Sequence, residues 1–357
     1  MITFPADIPN LSGKVLTVTG PADPETLGVV SMHEHIFLDI TRPEHNPRPG
    51  YNSPAARTPL TLDNLADVRS GTGNIDNDQL GNFDEQLAEI LPYRYAGGGT
   101  LVDVTNIGLG RDPAALQRIS QASGLHIVMG SGWYERNFHP ADMDDLTVDD
   151  LTAVIVTDVV SGADGTSVRA GIIGEVGVEG QPLTTNELKS VRASGRAAAI
   201  TGAPITFHRG GTGDEQFAVL DILEEEGVDL RTVVMGHAGT LGLNLDFAQR
   251  LLARGVFVEF DFLGAPGSPW GTLWPFTDLK VAEGIANLVA AGYTDQIVLG
   301  TDVCTKLQLK RYGGHGYTYL LDHFLPALTR LGVPDAATRA FMTTNAQRAL
   351  TFSEGRR

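Results

Sequence analysis

The chain has 357 residues, with 43 Asp and Glu against 26 Lys and Arg and a formal net charge of −17. That balance argues against nucleic acid or an anionic membrane as a partner, since either would call for clustered cations. A single cysteine, Cys304, excludes an intrachain disulfide, and no apolar run approaches the ~20 residues needed to span a bilayer. Residues 1–7 carry no basic stretch followed by an apolar one, so a reducing cytoplasm is the expected setting. The length suits one α/β barrel domain covering 1–357.

In chain order, residues 1–27 read as a short N-terminal β extension. Apolar, β-rich runs then recur eight times, at 28–35, 99–105, 126–134, 170–177, 204–208, 232–237, 256–262 and 296–302. Between them, 114–123, 187–201, 214–226, 245–254 and 281–291 carry apolar residues at helical spacing. The runs are nearly continuous in apolar character, which suits strands buried on both faces. Eight βα units imply a closed parallel barrel, the (β/α)8 TIM barrel. Two segments break the rhythm. Residues 41–82, rich in Pro, Asn, Gly and Asp, follow the first strand and read as a long loop shaping an entrance. Residues 262–278 follow the seventh strand, combine turn residues with Trp270, Trp274 and Phe276, and read as a lid over substrate.

The candidate chemistry sits at the strand ends. In Val30-Ser31-Met32-His33-Glu34-His35, alternate positions put His33 and His35 on one face of the sheet. Glu175 closes the fourth strand, His208 the fifth, His237 the sixth and Asp302 the eighth. In a parallel barrel the C-terminal ends of the strands converge, so these six side chains meet. Four imidazoles and two carboxylates suit a borderline-soft divalent ion, and a bidentate Glu can bridge two, zinc being the first expectation and manganese, iron or cobalt acceptable. Two such ions give a hydrolase: one generates hydroxide near neutral pH while the other polarises the electrophile. Asp302 is placed both to ligate and to take the proton of the attacking water.

This order of residues resembles the phosphotriesterase family of the amidohydrolase superfamily, through Met32-His33-Glu34-His35, Arg169-Ala170-Gly171-Ile172-Ile173, Gly236-His237 and Thr301-Asp302. The resemblance implies a binuclear centre in which His33, His35 and Asp302 hold one ion and His208 and His237 the other. Many members bridge the ions with a carboxylated lysine, but no Lys lies between Lys14 and Lys189, so Glu175 takes that place. The segment Arg311-Tyr312-Gly313-Gly314-His315-Gly316-Tyr317 also resembles the Glu-bridged branch of phosphotriesterase homology and phosphotriesterase-related proteins. Ala238-Gly239-Thr240 lacks the acid that phosphotriesterases carry just beyond the sixth-strand histidine, so a proton must leave through Asp302 with another partner or solvent. Phe262 stands where related lactonases have Arg, whereas Tyr134 matches their aromatic position.

The expected reaction is hydrolysis of a small-molecule ester or lactone by metal-bound hydroxide. N-acyl amino acid amide cleavage comes next, then phosphotriester hydrolysis, and a metal-retaining binding protein is the reading from another class. Trp133, Tyr134, Phe262, Arg209 and Trp270 are the candidate substrate residues. Related proteins are often dimers, so a homodimer is open to this chain. Glu259 and Asp261 alternate on the seventh strand and suit a polar layer inside the barrel. Cys304 reads as inert, and His45, His126, His139, His315 and His323 as structural or solvent-facing.

Overall fold

All eight apolar runs form strands, and their residues are buried on both faces, as a sheet between an interior plug and an outer helix layer requires. The structure is a computed structural model describing residues 7–42, 46, 48–208, 213–265 and 277–356. The strands are β1 (Val29–Glu34), β2 (Gly98–Asp103), β3 (His126–Ser131), β4 (Ile172–Gly177), β5 (Ile205–His208), β6 (Val233–Met235), β7 (Phe257–Phe260) and β8 (Ile297–Leu299). They pair in parallel in sequence order. The ring closes between β8 and β1, where the Asp302 N–H donates to the His33 carbonyl at 2.9 Å and the His35 N–H to the Val303 carbonyl at 3.2 Å. Closure depends on Gly300, because a Cβ there would lie 2.5 Å from that of His33. The fold is a (β/α)8 TIM barrel.

Each strand returns through a helix: α1 (Phe83–Tyr95), α2 (Pro113–Ser123), α3 (Val148–Val160), α4 (Thr185–Thr201), α5 (Glu215–Glu226), α6 (Leu245–Leu252), α7 (Asp278–Ala290) and α8 (Leu325–Arg330). Local chemistry sets their starts. Asp112 accepts from the Ala115 N–H ahead of α2, while Thr147 with Asp150 and Thr184 with Glu187 form capping boxes for α3 and α4. Neither α1 nor α3 stood out in the sequence. Pro92 lies inside α1, and α3 is buried over most of its circumference, so neither shows a single clean apolar stripe.

Two cores flank the strands. The larger joins outward residues such as Ile127, Ile205, Phe207, Met235 and Phe260 to the helices. A smaller one, including Val30, Val102, Val128, Ile172, Val234 and Val298, meets Ala346, Ala349 and Leu350 of the helices that end the fold, α9 (Asp335–Phe341) and α10 (Thr344–Leu350). Asn345 Nδ2 donates to the Thr294 and Ile297 carbonyls at 2.9 and 2.8 Å, which sets α10 across the N-terminal mouth of the barrel. The N-terminal extension is a hairpin, Val15–Thr17 against Gly20–Ala22, beside the start of β3.

The segment after β1 is more ordered than a loop. Leu38–Asp39 pairs antiparallel with Gln79–Leu80, and between them lie two short 3-10 turns, a helix at Leu65–Arg69 and an apolar cluster of Leu60, Leu65 and Val68 with Leu307. Its Pro and Gly residues punctuate short turns. The expected lid after β7 falls largely outside the described residues, which resume at Thr277. Among the described residues, no helix is long and apolar enough to cross a membrane.

Candidate metal centre

The C-terminal ends of the strands carry the candidate ligands, some inside the last ladder pairs and some just past them. His33 lies within β1 and His35 one residue beyond it; Glu175 lies in β4 and His208 ends β5. His237 and Asp302 follow β6 and β8 by two and three residues, with φ of 51° and 53°. Phe262, after β7, has φ 58°. Non-glycine residues are uncommon in this left-handed region, and such strain persists only where the surroundings enforce it. Three neighbouring strands thus end in the same costly turn, and two of them aim a ligand.

Glu175 lies at the middle of the cluster. Its Oε2 is 3.3 Å from His33 Nε2 and 3.0 Å from His208 Nδ1, and its Oε1 is 3.4 Å from His35 Nε2. Asp302 Oδ1 is 3.4 Å from His35 Nε2, and His237 Nε2 is 2.8 Å from His208 Nδ1. Donor atoms of His33, His35 and Glu175 lie within 4.8 Å of one another, and so do those of Glu175, His208 and His237. One carboxylate therefore belongs to both groups.

Outer partners fix which ring nitrogen faces inward. Nδ1 of His33 lies 3.0 Å from Glu259 Oε2, that of His35 2.9 Å from Thr105 Oγ1, and that of His237 2.6 Å from Asp261 Oδ1. With an N–H on each Nδ1, the Nε2 lone pairs point to the centre. His208 is turned the other way, its Nε2 held 3.2 Å from the Tyr134 hydroxyl and its Nδ1 toward Glu175.

Charge and burial agree with a cation site. Burial pulls the His35 imidazole down, but Asp302 and Glu175 outweigh it and push it up to about 9. Burial pushes Glu175 up, yet His33 and His208 hold it well below the ordinary carboxylate range. His33 Nε2 is fully buried and has no hydrogen-bond partner among the described residues. An orphaned lone pair facing carboxylates is costly unless a cation receives it. The donor set fits divalent metal.

Imidazoles and carboxylates gathered at the C-terminal mouth of this barrel are the equipment of the metal-dependent hydrolases, and this chain is one of them. It belongs to the phosphotriesterase family, whose sequence profile matches residues 13–350. An N-acetyltaurine hydrolase of Tetraodon nigroviridis is 35% identical over 353 residues, covering 96% of this chain and 99% of that protein. Among solved structures, a resiniferatoxin-binding protein from Rhodobacter sphaeroides is 37% identical with a TM-score of 0.88, covering 96% of each chain. The phosphotriesterase homology protein from Escherichia coli, solved with phosphate in its active site, is 25% identical with a TM-score of 0.74, covering 91% of this chain and 99% of its own.

The structure separates the candidate substrate residues. Tyr134 is half-buried against His208, with ring centroids 4.4 Å apart. Trp133, expected to share the pocket, is 2% exposed and packs in the outer core, because successive residues at a strand end face opposite sides. Phe262 follows Asp261 on the same rim, whereas Arg209 and Trp270 lie outside the described residues. Sequence reasoning passed over Thr105, Gln308 and the role of Glu34. A buried acid between two ligands was the available signal for Glu34, which is 0% exposed.

Proposed function

We propose that this chain hydrolyses the amide bond of small N-acyl compounds bearing an anionic group, the chemical class to which N-acetyltaurine belongs. Similarity to N-acetyltaurine hydrolases over 96% of this chain supports this reading, and on that support we rank amides ahead of the lactones that residue pattern alone ranks first. His33, His35 and Asp302 would hold one ion and His208 and His237 a second, with Glu175 reaching both. When bound, the ions supply an activated water and an electrophile for the acyl oxygen.

The remaining work falls to the chain. Asp302 accepts the proton of the attacking water as the new C–O bond forms, and returns it to the amide nitrogen as the C–N bond breaks, so the products are a carboxylic acid and an amine. Its carboxylate is 5% exposed as a residue and beside His35, inside the space the ligands enclose. The Tyr134 hydroxyl, engaged as an acceptor by His208 Nε2–H, keeps its own proton to offer the acyl oxygen.

Initial rates on N-acetyltaurine, N-acetyl amino acids, simple lactones and aryl phosphotriesters test the proposal directly. Expected is a kcat/KM for the anionic N-acyl compounds at least about tenfold above the others. A lactone preferred by that margin would reverse the assignment. Tight binding of the amides with no turnover by metal-loaded protein would favour the ligand-capture reading, which the name of the Rhodobacter sphaeroides relative keeps in view.

A further inference from the structure

Glu34 sits between two ligands in sequence yet touches neither reacting side of the centre. It is 0% exposed, and among the described residues no Lys or Arg pairs with it. Its carboxylate instead crosses the seam where the barrel closes. Oε1 accepts from the Thr301 N–H at 2.9 Å, Oε2 accepts from the Val303 N–H at 3.2 Å, and the Thr301 hydroxyl lies 2.5 and 2.6 Å from the two oxygens. Ser31 Oγ donates to Oε1 at 2.5 Å. The two peptides gripped in this way flank Asp302.

Asp302 needs such a grip. Its φ of 53° is unfavourable for a residue with a Cβ, and relaxing it would swing the carboxylate away from His35. The His33 carbonyl accepts its N–H at 2.9 Å, and its own carbonyl accepts from Gln308 Nε2 at 2.6 Å. The N–H and the carbonyl of the strained residue are therefore both held, and Glu34 grips the N–H of the residue on each side. A buried carboxylate without a counter-charge is costly, and the four donors offset part of that cost.

We propose that Glu34 is a positioning residue: it locks the backbone on both sides of Asp302 in the left-handed turn that presents the Asp302 carboxylate to the centre. The inference rests on the proposed role of Asp302. Glu34→Gln keeps the shape but faces an amide NH2 toward a backbone N–H, so one side of the grip is lost. Two readouts apply to full-length protein: zinc binding to metal-free protein, measured by competition with a chromophoric chelator, and kcat and KM on N-acetyltaurine.

Glu34→Gln should weaken zinc binding about tenfold, within the range for partners of ligands, and lower kcat about 10- to 100-fold with KM within about twofold. In an Asp302→Asn background the same substitution should change zinc binding by less than about twofold, since the residue it acts through is already disabled. Equal losses in both backgrounds would overturn the proposal, as would a lowered Tm with zinc binding and kcat intact. If Glu34→Gln fails to fold, Thr301→Val removes one donor and enters the same cycle with a smaller loss in the Asp302 background only; additive losses again overturn it. If Asp302→Asn itself leaves zinc binding and turnover unchanged, the proposed role of Asp302 fails instead.

Discussion

The two halves of the centre are built differently. His33, His35 and Asp302 come from the strands at the barrel seam, with side chains 0%, 4% and 6% exposed, and buried partners hold their backbones and rings. His208 and His237, from β5 and β6, are 13% and 19% exposed. Their outer contacts include the Tyr134 hydroxyl on His208 and the Asp261 carboxylate on His237. A preorganised, water-poor half suits the proton-handling role proposed for Asp302, while an open half leaves room for a substrate oxygen to approach. Rigidity and access are thereby assigned to different strands of one ring.

The sharpest way to break this contrast is to neutralise the seam. Asp302→Asn should lower kcat about 10²- to 10⁴-fold, the range for a lost general base, with an unchanged far-ultraviolet circular dichroism spectrum; a loss below tenfold would make the two halves equivalent. Next in size is ion release: zinc-loaded protein mixed with a chromophoric chelator should release zinc in two phases differing at least about tenfold in rate, the fast phase disappearing in His237→Ala. A single phase would erase the distinction. Tyr134→Phe should cost about tenfold in kcat with zinc binding intact, because it removes one hydroxyl from the open half and no ligand.

The smallest effect concerns the loop beyond β4, which joins the strand carrying Glu175 to α4. Burial pushes the Glu187 carboxyl up, but N–H donors from Thr184, Glu179 and Gly180 outweigh it and hold the group below its ordinary value of 4.5. The folded chain then binds this proton less readily than the unfolded one. Its stabilisation is therefore present above the ordinary value of 4.5 and is lost as the pH falls through the lower folded value. Glu187→Gln should reduce Tm at pH 7 and flatten the dependence of Tm on pH below 4.5; an identical acid limb in both proteins would show that Glu187 does not anchor the loop by its charge.

Much of this was legible in the residues. Barrel strands betray themselves by continuous apolar runs, and ligands stand at their ends because the fold puts functional side chains there. Element edges read less well: the run at 232–237 ladders only over Val233–Met235, because Gly236 and His237 already leave the sheet for the left-handed turn. Trp133 and Tyr134 were indistinguishable as aromatic neighbours until the strand end showed which faced the centre. Glu34 was hidden for another reason. Its partners Thr301 and Val303 lie 267 and 269 residues away, across a seam that no local pattern encodes.

The barrel floor is made from both ends of the described chain. The Gly13 N–H donates to the Phe352 carbonyl at 3.0 Å and the Phe352 N–H to the Lys14 carbonyl at 2.9 Å, beside α10 and the N-terminal hairpin. α10 is thus the stopper that keeps Val30, Val102 and Val298 from water at the N-terminal mouth. Without α10 the barrel would carry every candidate ligand and still present an unsealed apolar shaft to water.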